Sequence, residues 1–223
     1  VLDGDTVLLP GNTKARLLGI NAPERDTPYY EASAEALRSL LGGQAVLAEY
    51  DVQAIDQYGR DLVHLFLEDG RHVNLEMLRL GFGQAYTIPP NVAYVEPMLE
   101  AEREARDAGR GLWEPSAMTL ELDDVMANPR GPDEENVNGE WVDIRNAGPA
   151  AIDLEGVTLS DESNNRYVFG SVTLPPGDTV RVHAGTGRDA SDRVYWGRRN
   201  PVWNNAGDVA FLRDPDGRFI DSY

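Results

Sequence analysis

The chain has 223 residues, of which 41% are hydrophobic, so it can bury a sizeable core and has the length of one or two domains. It contains no cysteine, which excludes a disulfide framework and a metal site built from thiolates. No apolar run approaches the roughly twenty residues that a membrane-spanning helix needs, so we expect no transmembrane segment. The formal net charge of −18 is unusual for a protein that acts on nucleic acid, because such proteins normally carry a basic binding face.

The negative charge is distributed along the whole sequence. Residues 1–115 and residues 116–223 each contain nineteen acidic and ten basic residues, a net charge of −9 apiece, and Lys14 is the only lysine. A diffuse acidic surface that is nearly free of lysine is typical of proteins from strongly saline surroundings, where screening leaves charges a reach of only about 3 Å at 1 M salt. We therefore expect a halophilic source, with an acidic protein from an ordinary GC-rich organism as the alternative.

The first predicted elements are two strands whose ends carry oxygen-bearing side chains. Residues 6–9 and residues 15–20 are apolar, strand-like runs joined by the turn Pro10-Gly11-Asn12. Hard cations such as calcium prefer carboxylate, amide and carbonyl oxygens, whereas zinc prefers nitrogen and sulfur. The oxygen donors near the strand ends, Asp3, Asp5, Asn21 and Glu24, therefore suit calcium if the fold brings them into one pocket.

Two arginines accompany these oxygen donors. Arg16 lies in the second strand, and Arg60 lies at the corner Tyr58-Gly59-Arg60. The guanidinium group is the side chain best matched to bidentate capture of a phosphate. Asp-Gly-Asp alone is more often a turn, a single arginine is more often solvated, and Glu24 after a proline can simply start a helix. It is the combination of cation ligands, carboxylate and paired arginines that indicates phosphodiester hydrolysis.

The rest of the first half is predicted to alternate between helices and strands. The expected helices lie after Pro28 up to Gly42, at residues 75–80 with Asn74 as N-cap, and at residues 95–108, and the expected strands lie at residues 45–50 and 62–67. The three histidines, His64, His72 and His183, share no spacing typical of a metal site. We interpret them as structural.

Four blocks in this order resemble the staphylococcal (thermonuclease) nuclease family. They are Asp3-Gly4-Asp5-Thr6-Val7, residues 16–24, Tyr58-Gly59-Arg60 and Gly111-Leu112-Trp113. The likeness covers roughly residues 1–115. It implies an OB-fold β-barrel with three helices, an α+β arrangement, and a calcium-dependent nuclease.

The resemblance also implies roles for individual residues. By position, calcium would be held by Asp5, Asn21 and the carbonyl of Ala22, with Glu24 joined to the metal through a water. Asn21 departs from the aspartate that is common in the family, which removes one negative charge from the metal site.

Catalytic roles follow from the same resemblance. Arg16 and Arg60 would be the phosphate-binding arginines, and Glu24 would be the general base that acts on a water. Tyr86 would lie against a nucleotide base, since stacking on an aromatic ring is a sequence-tolerant way to hold a base. The family's lysine before Tyr-Gly-Arg is Gln57 here, so we expect one phosphate contact to be lost.

Beyond a short linker at residues 116–118 the hydrophobic period changes. Residues 119–223 contain short alternating strands separated by Gly- and Pro-containing turns, which predicts a β-sandwich. Several motifs resemble the lamin tail domain, an immunoglobulin-like sandwich without a known catalytic centre: Asn128-Pro129-Arg130-Gly131, Glu140-Trp141-Val142-Asp143, Leu159-Ser160-Asp161, Leu174-Pro175-Pro176-Gly177 and residues 202–208. The segment Tyr195-Trp196-Gly197-Arg198-Arg199 is a candidate contact for DNA or a partner, or an ordinary strand end.

The leading hypothesis is a calcium-dependent endonuclease that hydrolyses DNA, with RNA as a second candidate substrate, to products with a 3′-phosphate, and that carries a C-terminal attachment or interaction domain. The alternative is a non-catalytic scaffold that binds nucleic acid or protein. Barrels of this family that have lost catalysis usually lack several of the key positions, whereas this chain keeps Asp5, Arg16, Glu24 and Arg60. Because the chain opens inside a predicted strand, we expect a missing N-terminal segment and an extracellular or cell-surface location, with the cytoplasm as the alternative.

Overall fold

The structure is a computed structural model that describes residues 1–132, 136–204 and 208–223. The described residues form two compact units, Val1–Glu114 and Pro115–Tyr223. Among them no helix is long and apolar enough to cross a membrane.

The first unit combines a strongly curved sheet with three α-helices, all within described residues. The strands are β1 (Thr6–Leu9), β2 (Thr13–Leu17), β3 (Gly19–Asn21), β4 (Val46–Ile55), β5 (Asp61–Leu67) and β6 (Gln84–Tyr86). The helices are α1 (Tyr30–Leu41), α2 (Val73–Arg79) and α3 (Val95–Asp107), followed by a 3-10 turn at Gly111–Trp113. Four strands pair in the order β1-β2-β5-β4, while β3 pairs with β6. All neighbours are antiparallel except β2 and β5, which are parallel.

The core of the first unit lies between the sheet and the helices. Alternate residues of the strands point inward, and each helix contributes one apolar face, as the helical spacing in the sequence predicts. The buried members include Leu17, Ile20, Leu37, Leu65, Met77 and Met98. Helix α1 ends at Gly42, whose positive φ of 52° provides the left-handed cap that glycine adopts readily.

Two local expectations for this unit are wrong. The predicted strand 15–20 is broken after Leu17, because Gly19 has a φ of 75° and turns the chain into β3. Asn74 is not an N-cap, because α2 begins at Val73 and is preceded by His72. Asn74 is instead fully buried, where its amide donates to the carbonyls of Leu18 and Val63 and accepts from the N–H of Leu65. It therefore joins α2 to β5 and to the turn between β2 and β3.

The second unit consists of strands that form two main sheets. They are β7 (Leu120–Met126), β8 (Trp141–Asn146), β9 (Ile152–Asp153), β10 (Thr158–Ser160), β11 (Arg166–Val168), β12 (Thr173–Leu174), β13 (Thr179–His183), β14 (Arg193–Tyr195), β15 (Phe211–Arg213) and β16 (Phe219–Ser222). One sheet has the order β11-β10-β15-β16 and the other β14-β13-β8-β7, with β9 and β12 as a small third pair. Their inner faces share one core that includes Ile144, Leu159, Val180, Trp203 and Leu212. This is the layered β arrangement that the alternating pattern predicts.

Candidate active site

The candidate site is built where β1, β2 and β3 meet. In the β1–β2 ladder Thr6 lies opposite Arg16, and the N–H of Leu17 donates to the carbonyl of Asp5 at 2.8 Å. The turn at Gly19 then directs β3 back past Arg16. A β-carbon at Gly19 would lie 1.9 Å from the sulfur of Met98, so both the positive φ and the close packing require glycine there.

Asp5 is the centre of a buried polar cluster. Only 6% of Asp5 is exposed, and its carboxylate forms an ion pair with Arg16. Its Oδ1 accepts a hydrogen bond from the hydroxyl of Thr6 at 2.9 Å, and its Oδ2 accepts one from the N–H of Ala22 at 3.1 Å. Because burying a carboxylate without partners is costly, these hydrogen bonds and the ion pair offset the cost of burying Asp5.

Arg16 connects Asp5 to the predicted metal ligands of β3. Its Nη2 donates to Oδ1 of Asn21 and to the carbonyl of Ile20, both at 3.2 Å. Asp5, Arg16, Asn21 and the backbone of Ala22 are therefore brought together as the sequence analysis expected. The predicted phosphate-binding arginine and the predicted metal-ligand side chains share one hydrogen-bonded cluster.

Asp3 adds a second carboxylate next to this cluster. Its Oδ1 accepts the N–H of Asp5 at 3.1 Å. Burial, and after it the negative charge of Asp5, raise the pKa of Asp3 above its ordinary value. Two close carboxylates repel each other, and a divalent cation would relieve that repulsion.

The donor set fits a hard cation by its chemistry. The cluster offers carboxylate, amide and carbonyl oxygens from Asp3, Asp5, Asn21 and Ala22, with neither histidine nor cysteine among them. Within the described ranges no group of three or more His, Asp or Glu side chains is arranged to hold a metal. A cation at this position would therefore rely on amide and backbone oxygens in addition to the carboxylates, which calcium accepts.

Arg60 is positioned by a turn that the sequence analysis had noted without giving it a role. Its Nε donates to Oδ2 of Asp56 at 2.7 Å, while Oδ1 of Asp56 accepts the N–H groups of Tyr58 and Arg60 at 2.8 and 2.9 Å. Burial opposes ionisation of Asp56, but these hydrogen bonds outweigh it and lower the pKa of Asp56 below its usual range. An aspartate four residues before an arginine, with a glycine between them, was the sequence signal for this positioning turn.

Both arginines line one cavity of about 310 Å³. Tyr86 of β6 also lines it, together with Tyr58 and Asn91. Asn91 closes the far wall, because its amide exchanges two hydrogen bonds with the backbone of Gln53 at 2.7 and 2.9 Å. Nothing in the sequence indicated this link between β4 and the loop that follows β6. The structure thus brings Arg16, Arg60 and Tyr86 to the same cavity, whose size is that of a small-molecule site.

Glu24 differs from the other predicted site residues. It lies two residues after Ala22, but its side chain is exposed and makes no hydrogen bond or ion pair within the described part of the chain. Its backbone carbonyl accepts from the N–H and hydroxyl of Thr27 at 3.1 and 2.6 Å, which forms a turn before α1. The carboxylate of Glu24 is therefore accessible to solvent.

His64 and His72 pack against each other with ring centroids 5.1 Å apart, and Tyr94 lies against both. They are 3% and 7% exposed, and both ring nitrogens of His72 are buried without a hydrogen-bond partner. Burial, and after it the charges of His64 and Arg79, lower the pKa of His72 to about 4. These contacts agree with the interpretation of both residues as structural.

Two family models match the chain. The model described as "Staphylococcal nuclease homologue" matches residues 14–115, and the model described as "Lamin Tail Domain" matches residues 114–223. Together with the barrel, the three helices and the two-sheet unit, these matches confirm the predicted fold class: an OB-fold barrel followed by an immunoglobulin-like β domain.

Curated proteins similar to this chain match its first half. An "Uncharacterized endonuclease" from Escherichia coli is 39% identical over 116 residues, which cover 51% of this chain and 72% of that protein. The "Thermonuclease" of Staphylococcus intermedius is 31% identical over 123 residues, 51% of this chain and 73% of that protein. "Endonuclease YhcR" of Bacillus subtilis is 30% identical over 140 residues, 55% of this chain and 12% of that protein.

Proposed function

Because the chain belongs to the staphylococcal nuclease family, we propose that its first unit is a calcium-dependent endonuclease. Its substrate would be DNA, with RNA as a second candidate, and its products would carry a 3′-phosphate. Arg16, Arg60 and Glu24 would be the catalytic residues. Asp5, Asn21 and the carbonyl of Ala22 would hold the cation, with Glu24 linked through a water.

One observation carries this proposal. Arg16 and Arg60 approach from different elements and line the same cavity. Arg16 also touches Asp5 and Asn21, which are buried oxygen donors suited to a hard cation. A phosphodiester in this cavity would therefore meet two guanidinium groups on one side of a cation site. Few ligands other than a phosphate need that combination.

The proposed mechanism assigns each group one task. Arg16 and Arg60 stabilise the negative charge that develops on the phosphoryl oxygens, since both are preorganised by their carboxylate partners. Glu24, which is exposed and unpaired among the described residues, accepts a proton from the attacking water. Calcium supplies Lewis-acid polarisation of the phosphoryl oxygen when it is bound. Tyr86, at the other end of the cavity, holds a nucleotide base.

A non-catalytic scaffold is the competing function. A barrel that only binds nucleic acid needs no general base and no buried carboxylate beside a phosphate-binding arginine. This chain retains Asp5, Arg16, Glu24 and Arg60, and Asp56 holds Arg60 in place. The retention of all four positions favours the enzyme.

We further propose that the function divides between residues 1–115 and residues 119–223. Every assigned catalytic group lies in the first segment, and each compact unit has its own hydrophobic core. The second segment would serve attachment or interaction, at the cell surface or outside the cell. Fractionation of the source organism, followed by detection of the protein, tests the location: recovery only from the cytoplasm contradicts it.

The deciding experiment is a cleavage assay on plasmid DNA and on RNA, with calcium or with chelator. We expect cleavage only with calcium, and end-group analysis should find a 3′-phosphate. Asp5→Asn should abolish calcium-dependent cleavage, whereas Asp69→Asn, which alters an exposed ion pair with Arg71 in the same unit, should leave it unchanged. Equal cleavage in chelator would contradict the calcium assignment. No cleavage by a correctly folded protein under any condition would favour the scaffold.

A further inference from the structure

A second polar cavity lies in the second unit, where two loops leave the same end of a parallel strand pair. Strands β13 and β14 run parallel, with Arg181 opposite Arg193 and His183 opposite Tyr195. The loops that follow these strands are joined by backbone hydrogen bonds: the N–H of Gly197 donates to Gly185 at 2.8 Å, and that of Arg198 donates to Ala184 at 3.0 Å. The two loops therefore form one continuous wall.

The opposite wall is the 3-10 turn Val137–Gly139. The side-chain amide of Asn138 donates to the carbonyl of Thr186 at 2.8 Å, and the Nδ1 of His183 lies 2.9 Å from the carbonyl of Asn138. A β-carbon at Gly185 would lie 2.3 Å from Oδ1 of Asn138, so a larger residue at this position would require that side chain to move. The cavity between the two walls is open to solvent and has a volume of about 600 Å³.

The lining of this cavity is polar and positively charged. It consists of one valine and Asn136, Asn138, Gly185, Thr186, Arg198 and Arg199. Among these described lining residues the two arginines are the only ionisable groups, although the unit as a whole has a net charge of −9. Asp133, Glu134 and Glu135, which precede Asn136 in the sequence, lie outside the described residues.

The two arginines lack acidic partners within the described ranges. Arg199 is exposed and forms no ion pair there, and Arg198 donates to the neutral amide oxygen of Asn165. Four other arginines of the unit form ion pairs with carboxylates: Arg145 with Glu121, Arg181 with Asp143, Arg193 with Asp192 and Arg218 with Asp216. Two uncompensated guanidinium groups in one cavity of an acidic unit indicate a site for an anionic ligand.

The aromatic residues that precede Arg198 and Arg199 pack within the unit, and we do not assign them to the stacking of nucleotide bases. Tyr195 is stacked on His183 with ring centroids 5.1 Å apart, and a β-carbon at Gly187 would lie 2.3 Å from its ring, so the ring already packs against two neighbours. Trp196 packs against Tyr167 and Trp203. The cavity therefore offers guanidinium, amide and hydroxyl groups, which recognise phosphate and sugar oxygens and not the identity of a base.

We propose that this cavity binds the phosphate backbone of a polynucleotide, without sequence preference, as a second attachment point for the substrate of the first unit. The proposal rests on the proposed function, because it is the nuclease substrate that makes a polynucleotide the expected anion. A second contact within the same chain raises the local concentration of bound strand at both units. It also gives a strongly acidic protein a local surface that a polyanion can approach.

The test measures binding of a fluorescein-labelled single-stranded oligonucleotide to the full chain by anisotropy, in chelator, over a series of salt concentrations. The double variant Arg198→Ala, Arg199→Ala should raise Kd on the order of tenfold at low salt. Loss of two phosphate contacts should reduce the slope of log Kd against log salt by about 1.4. The matched control Arg188→Ala, Arg218→Ala removes the same charge from the same unit and should leave Kd within about twofold.

Three results overturn the proposal. The first is unchanged binding in the Arg198, Arg199 variant, and the second is an equal loss in the control, which would reflect net charge alone. The third is equally strong competition by polyglutamate of the same charge, which would make the cavity a carboxylate site. Calcium-dependent cleavage of a dinucleotide, which carries a single phosphodiester, is measured in parallel with all variants. It should not change, and its absence would count against the proposed function instead.

Discussion

The two units contain the same number of acidic residues but use them differently. In the first unit Asp5 and Asp56 hold arginines that line a cavity. In the second unit two buried aspartates close turns: Oδ1 of Asp214 accepts the N–H groups of Asp216 and Arg218, and Oδ1 of Asp161 accepts that of Asn165. An aspartate in an acidic chain is therefore informative only when its partner is known.

An aspartate–arginine pair is not sufficient evidence for a site either. Asp143 and Arg181 form a bidentate pair with both distances at 2.7 Å, and Arg181 stacks 3.5 Å from the ring centroid of Trp141. This pair crosses two neighbouring strands on the face of a sheet. What distinguishes Arg16 and Arg60 is the shared cavity, since both guanidinium groups can reach one ligand there.

The largest expected effect is on kcat, and it distinguishes the arginines that line the cavity from Arg181, which lies on the face of a sheet. Arg16→Ala, Arg60→Ala and Glu24→Gln should each lower kcat by about a hundred- to a thousandfold, because each removes a group that acts on the transition state. Arg181→Ala should leave kcat unchanged, since its ion pair lies on the surface of the second unit. Circular dichroism checks that all four variants fold. Parental turnover in all three site variants would show that the residue assignment is wrong.

The next largest effect is a loss of stability at low pH, which we expect from a buried histidine of the first unit. His72 has a folded pKa of about 4 against about 6.5 in an unfolded chain, so the unfolded state binds more protons between these values. Stability of the first unit should therefore be complete above pH 6.5 and fall by up to about 3 kcal/mol as the pH drops to about 4. His64 and His72 both belong to the first unit, and His183 is the one histidine of the second.

Urea titration of residues 1–115 from pH 7 to pH 4 measures the effect. His72→Phe, which keeps the stacking on Phe66, should flatten the pH dependence in this window. Burial also lowers the pKa of the neighbouring His64, and the charges of Asp51 and Glu49 oppose that shift only in part, so the variant should retain the smaller pH dependence that His64 contributes. An equally steep pH dependence in His72→Phe would contradict the assignment to this residue.

A smaller effect, on the affinity for calcium, distinguishes Arg16 from Arg60. Arg16 is paired with Asp5 and bonded to Asn21, so it competes with a cation for these oxygens, whereas Arg60 is bonded to Asp56. Arg16→Gln should therefore tighten calcium binding about five- to tenfold, and Arg60→Gln should leave it unchanged. Asn21→Asp, which adds a charged ligand, should act in the same direction as Arg16→Gln. Calorimetric titration at one fixed salt concentration decides this, and equal affinities in all four proteins would remove position 21 and Arg16 from the cation site.

The smallest expected change is the response to salt. Because the two units carry the same net charge, we expect both to respond to salt in the same way. Repulsion within each unit of charge −9 opposes compaction, and added salt screens it. We expect melting temperature and activity to persist, or to rise slightly, between 0.1 and about 2 M salt. Scanning calorimetry and the cleavage assay measure both. Unfolding in brine, with an optimum at low ionic strength, would contradict the halophilic origin that we propose.

Several features of the site could be predicted from the sequence because they are local. Asp5, Arg16 and Arg60 could be named as candidate site residues from local signals alone. These signals are the strand ends, the Tyr58-Gly59-Arg60 corner and the order of the four blocks. The partner of Arg60 could also have been predicted from the sequence, because Asp56 lies only four residues before it. The role of Asn74 was missed because its partners Leu18 and Val63 are distant in sequence and do not affect the local capping pattern.

By itself the sequence determined the two-part organisation, the acidic surface, the fold class and the chemistry of the candidate residues. These follow from composition, periodicity and short motifs, which depend on neighbouring residues. The tertiary structure decided which residues share a cavity: Arg16 with Arg60 and Tyr86 in the first unit, and Asn138 with Arg198 and Arg199 in the second. The physical reason is that cavities form between segments far apart in the chain, and their positions depend on strand register and on turns such as Gly19 and Gly185.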